Sequence, residues 1–118
     1  MEVDYHSLNY DKMVEAANFF LGTHDFTSFT SSKIDQRKDK IRTITRFEIL
    51  QENDVTHFII AGDGFLRYMV RMMVQTVIMV GKGKVEVEEV KQMLDAKNKH
   101  ICKYKANACG LYLVEVVY

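Results

Sequence analysis

The sequence predicts an α+β domain: a mostly antiparallel sheet with helices packed on one face. Three observations predict it. Residues Arg42–Gln51 and Val55–Ala61 are two strand-like runs joined by Glu52-Asn53-Asp54, a turn signal, which together read as an antiparallel hairpin. Segments with apolar residues at helical spacing stand before and after that hairpin. A last strand-like run, Leu111–Tyr118, follows them behind Gly110. Strands grouped in this way, and not alternating strictly with helices, indicate the α+β class. The order β-β-α-α-β fits a ferredoxin-like arrangement.

Asn9 to Leu21 forms the first expected helix. Asn9 suits the N-cap and Asp11 the first turn, while Met13, Ala16, Ala17, Phe20 and Leu21 share a face and Gly22 ends it. His24-Asp25-Phe26-Thr27-Ser28-Phe29 reads as a short packed segment or edge strand. The polar stretch Thr30–Lys40 reads as a loop. After the hairpin, Gly62-Asp63-Gly64 turns the chain into a central helix that stops at Gly81 and Gly83, with Asp63 as its candidate cap. Met69, Val70, Met72, Met73, Val74, Val77, Ile78 and Val80 make that helix apolar almost all round, so it should pack on more than one side. Arg71 is the anomaly. It is flanked by Val70 and Met72, and if buried its permanent charge needs an anion: a carboxylate of this chain, a phosphate, or a group on another domain. Glu86, Glu88 and Glu89 then open a further helix whose buried face is Val87, Val90, Met93 and Leu94.

The 118 residues suffice for one domain with a real core, and no internal boundary, repeat or low-complexity segment divides residues 1–118. Lysine and arginine balance aspartate and glutamate, 16 against 16, which argues against a domain that binds nucleic acid by charge alone. Basic residues nevertheless cluster in Lys33–Arg46 and Lys97–Lys105, where they could meet phosphates or simply be solvated. No secretory pattern and no apolar run of membrane-spanning length is present, Arg71 and Gln75 interrupting the best one. The expectation is a cytoplasmic chain with Cys102 and Cys109 as free thiols, although their spacing permits a disulfide.

Composition and spacing do not by themselves define an enzyme. His6, His24, His57 and His100 lack a metal-ligand spacing, and His100 with Cys102 and Cys109 is one ligand short of a structural zinc site. Gly81-Lys82-Gly83-Lys84 lacks the length and terminal hydroxyl of a phosphate loop and leads into an acidic helix start. The serines near His24 have no glycine elbow.

The motifs say more. Gly64-Phe65-Leu66, Met69-Val70-Arg71, Val74 and Val80-Gly81 together resemble the signature helix of the bacterial tRNA pseudouridine synthase A family. Gly22 with His24–Phe29, Arg42-Thr43-Ile44, Leu94 with Ala96-Lys97, and the closing Gly110-Leu111-Tyr112-Leu113-Val114 resemble other segments of it, in the family's order. The resemblance implies a ferredoxin-like half of a pseudouridine synthase fold, isomerisation of uridine to pseudouridine in the tRNA anticodon arm, no cofactor and no metal, and a homodimer. It also implies site roles: Arg71 as the partner of the family's catalytic aspartate, and Leu111 as a lining residue of the uracil pocket. Lys38, Lys40, Arg42 and Arg67 become candidate RNA contacts.

The departure is large. The family's Gly-Arg-Thr-Asp-like aspartate motif is absent from this sequence. The resemblance is therefore to the C-terminal half only, with the N-terminal half as an implied partner, and the chain alone is expected to be inactive. Self-association through the face where that half would dock is a further expectation. Gln75 stands where the family often has a small residue. The alternative reading is a stand-alone RNA-binding or dimerisation module that keeps the fold without the chemistry.

Overall fold

The computed structural model describes residues 8–30, 39–52, 55–66, 68–96 and 112–117. Helix α1 (Tyr10–Phe19) leads into strand β1 (Gly22–Asp25) and a single 3-10 turn (Thr27–Phe29). The hairpin follows as β2 (Ile41–Glu52) and β3 (Val55–Gly62), then α2 (Met69–Gly81), α3 (Val87–Ala96) and β4 (Tyr112–Val117). The expected α+β class is what the structure shows. The strands lie in the order β1-β2-β3-β4, with β1–β2 and β2–β3 antiparallel and β3–β4 parallel. The two helices between β3 and β4 carry the chain back across the sheet, as a parallel pairing requires.

Side-chain alternation gives the sheet one buried face. Ile44, Phe47 and Ile49 of β2, with Thr56, Phe58 and Ile60 of β3, point into the core, whereas Thr45, Arg46, Glu48 and Leu50 are exposed. Ile44 and Phe47 are three apart, which a regular strand would place on opposite faces. A bulge reconciles them: the register shifts between Ile44 and Arg46, so that Ile44 pairs with Gly62 and Arg46 with Ala61.

Each helix lays an apolar stripe on that face. Helix α1 contributes Met13, Ala16 and Ala17, and α3 contributes Val87, Val90, Met93 and Leu94. The Asn9 carboxamide oxygen accepts from the Lys12 amide at 3.2 Å, confirming Asn9 as the N-cap. At α3 the Glu86 amide donates to the Glu89 carboxylate at 3.4 Å, the backward half of a capping box. The Tyr10 hydroxyl ties α1 to the sheet by donating to the Ile49 carbonyl at 2.9 Å. Helix α2 is buried on almost every side, through Met69, Met72, Met73, Val74, Val77, Ile78 and Val80. Its buried Thr76 hydroxyl donates to the Met72 carbonyl one turn back, at 2.7 Å.

Helix α1 comes close to the end of α2 at Gly81. A Cβ there would stand 2.7 Å from both Cγ and Sδ of Met13, and the Gly81 carbonyl accepts from the Asn9 amide at 2.9 Å. Met13 is fully buried, so it has little room to yield. Gly81→Val is accordingly expected to destabilise the domain by about 1–3 kcal/mol through overpacking, measurable as a lowered urea midpoint with the slope unchanged. A midpoint equal to that of the parent would contradict this packing.

Candidate active-site helix and its braced entry turn

The turn that leaves β3 is braced at Asp63 against the start of β2. The Asp63 amide donates to the Thr43 carbonyl at 3.1 Å, and the Asp63 carboxylate accepts from the Thr43 amide at 2.9 Å. Asp63 thus clamps the turn to β2 and does not cap α2, which corrects the expectation from sequence. The reason is distance along the chain: the helix begins at Met69, six residues later. The turn also depends on Gly62, where a Cβ would come within 2.7 Å of the Thr43 carbonyl oxygen, a backbone atom that cannot swing aside. Arg42 lies over the same turn, its Nε 3.6 Å from where a Gly64 Cβ would be.

Tyr68 occupies the N-cap of α2 with φ 64° and ψ 2°, in the left-handed region. Among the described residues it is the non-glycine with positive φ. An aromatic residue held there stores strain that its surroundings must sustain, a pattern that clusters at functional sites. Its side chain makes no cap hydrogen bond, and the first turn of α2 carries no acid. The partial positive charge of the helix N-terminus is therefore left uncompensated by its own first turn.

Arg71 projects from that first turn. It is exposed, and its Cζ stands 5.8 Å from the centroid of the Tyr68 ring, within cation–π range. Among the described residues it has no ion pair. Burial of Val74 and Ile78 does not extend to it, because the row that shares its exposure is Gln75 and Met79, both half-buried. Arg71 is not buried, so the condition under which it would need an internal anion is not met, and its guanidinium faces outward at an electropositive helix end. Tyr68 was not singled out from sequence, since nothing in its identity announces a left-handed backbone.

The other predicted site residues are scattered. Leu111, Lys38 and the Arg67 side chain lie outside the described residues, as do His6, His100, Cys102, Cys109 and the Lys97–Lys105 run. The strand that follows Leu111 starts with Tyr112 opposite Thr56, at the entry end of β3, about 20 Å along that strand from Gly62. Lys40 is half-buried. Arg42 is also half-buried, and its guanidinium donates to the carbonyls of Asp39 and Ile41 at 2.9 and 2.7 Å. Arg46 pairs with Glu48 at 2.7 Å, and that hydrogen bond holds the exposed Glu48 carboxyl below its ordinary pKa. His57 sits half-buried on β3.

A separate open cavity of about 340 Å³ is lined by Thr23, His24, Asp25, Ile41, Leu94 and Asp95. Two of its polar groups are committed locally: His24 Nε2 bonds the Leu21 carbonyl at 2.7 Å, and the Asp25 carboxylate accepts from both the amide and hydroxyl of Thr27. No described helix is long and apolar enough to cross a membrane.

The four-stranded mixed sheet with its helices is an α+β fold consistent with the half-domain of a pseudouridine synthase. Residues 16–118 match the family model described as tRNA pseudouridine synthase, and the chain belongs to that family. It is 44% identical over 113 residues to "tRNA pseudouridine synthase A" of Acetivibrio thermocellus, covering 96% of this chain and 46% of that protein. It is 43% identical over 110 residues to the protein of the same name in Staphylococcus aureus, covering 93% of this chain and 41% of the relative. The chain thus spans somewhat less than half the length of the curated relatives it matches.

Proposed function

We propose that this chain supplies the arginine wall of a tRNA pseudouridine synthase cleft, isomerising uridine to pseudouridine in the anticodon arm. The observation that carries the reading is Arg71: exposed, at the electropositive start of α2, and without an anion among the described residues. A guanidinium fork accepts a carboxylate in a bidentate fashion, and such a pair lowers the carboxylate's pKa and keeps it ionised as a nucleophile. The aspartate belongs to a segment that these 118 residues do not include, since the sequence has no Gly-Arg-Thr-Asp motif. The partial coverage of the relatives supports that division of labour.

Leu111 lines the uracil pocket in this reading, and Lys38, Lys40, Arg42 and Arg67 lie along the path of the RNA backbone. The assembled enzyme is a cytoplasmic homodimer. Isomerisation exchanges the N1–C1′ bond for a C5–C1′ bond and frees the hydrogen at C5, so tritium placed there reports turnover. The chain alone is expected to release none from uracil-C5-labelled tRNA, and to support release once joined to an aspartate-bearing half. Turnover by the chain alone would refute the proposal. Salt-dependent tRNA binding with no turnover even after joining would favour a binding module instead.

A further inference from the structure

We propose that Tyr68 is a positioning residue for Arg71: its left-handed backbone sets the phenol ring beneath the guanidinium and holds the fork outward for its carboxylate. The inference rests on the reading of Arg71 given above. It stands on two independent features of the structure. The first is conformational. Tyr68 has φ 64° at the residue immediately before α2, a region that a side chain of this size enters only when its surroundings impose it. The second is the contact itself, with Arg71 Cζ 5.8 Å from the ring centroid.

The two features explain each other. Residue 68 precedes Met69, the first residue of α2, and Arg71 lies three positions beyond Tyr68. In a continuing helix such a pair would share a face with both side chains swept towards the N-terminus. The left-handed turn redirects the residue-68 side chain relative to that pattern. Tyr68 is half-buried and packs against the hydrophobic core, so the ring is anchored on one side and offers a surface on the other. An exposed arginine otherwise samples many rotamers, and its fork would have to be ordered each time a carboxylate is engaged. The ring removes part of that disorder in advance. The backbone below it is fixed from the other direction by the Asp63–Thr43 clamp and by the close approach at Gly62.

The contact is testable on the chain itself by the Arg71 Nε–H proton resonance, which a ring face displaces upfield. The displacement is expected in the parent and in Tyr68→Phe, and its loss in Tyr68→Leu and Tyr68→Gly. Glycine suits the left-handed backbone, so that variant keeps the fold while removing the ring. In the joined enzyme, Tyr68→Leu and Tyr68→Gly are expected to lower kcat by about threefold to tenfold with KM unchanged, and Tyr68→Phe to match the parent. A parent chain without the upfield displacement overturns the proposal, and so does a Tyr68→Gly enzyme with parental kcat. Should Arg71→Ala prove fully active, the synthase role of Arg71 falls, and with it the catalytic purpose of Tyr68; the resonance, read on the chain alone, would still decide whether the ring holds the guanidinium.

Discussion

Arg71→Ala, placed in an enzyme that unites this chain with an aspartate-bearing half, is expected to reduce turnover by about two to four orders of magnitude, the range for removing one member of a desolvated ion pair. The direction follows from which state loses the interaction. In the chain itself Arg71 is exposed and has a cation–π contact with the Tyr68 ring but no ion pair among the described residues, so the same substitution should change folding stability by less than about 1 kcal/mol. A large loss of turnover beside unchanged unfolding separates a role in the cleft from a role in the fold. Arg71→Lys keeps the charge but not the planar fork, and should recover only part of the rate. Loss of the cation also removes the influence that keeps the carboxylate ionised. The acid limb of the pH–rate profile is therefore expected to move to higher pH in Arg71→Ala. Parental activity in that variant would show that the outward arginine has no catalytic partner.

Phe20→Ala is expected to cost about 3–5 kcal/mol of folding stability. Phe20 is fully buried where the chain leaves α1, and its ring meets three others. It lies edge-on to Phe29 at 5.0 Å and is stacked with Phe47 at 5.7 Å and with Phe26 at 6.5 Å. Those partners sit on the segment after β1, in the 3-10 turn and on β2, so one truncation opens a cavity where helix, turn and sheet meet. For a domain whose whole stability is of order 5–15 kcal/mol, the loss brings the folded state close to its threshold. Urea unfolding monitored by circular dichroism measures it. A change below about 1 kcal/mol would mean that the neighbouring rings collapse into the space.

Sequence reasoning recovered the elements that periodicity and turn chemistry encode. The hairpin was legible because β-branched residues alternate on both sides of a three-residue turn signal, and the Asn9 cap because its side chain acts within one turn. What escaped depends on long-range contact or on backbone state. The bulge at Thr45 has no local signature, yet it alone allows Ile44 and Phe47 to share a face. Asp63 looked like a cap because it follows a glycine before a helix, but its partner is Thr43, twenty residues upstream. For Arg71 periodicity left burial open, and the structure decides it: Gln75 and Met79, which follow it along the helix face, are half-buried while Arg71 itself is exposed. The chemistry of the site came from the family motifs, since a lone cation on a helix specifies a charge partner but not a reaction.

The parallel pairing of β3 with β4 has a consequence for the order of assembly. Residues 56–61 join residues 112–117, partners 56 positions apart, and closing such a loop costs roughly 3–4 kcal/mol in chain entropy before any contact is gained. The β2–β3 hairpin closes within a few residues and faces almost none of that cost. Folding should therefore proceed from the hairpin with α1 laid on it, and β4 should dock late, once α2 and α3 have shortened the distance to be spanned. Substitutions on β4 would then accelerate unfolding and leave the folding rate nearly untouched.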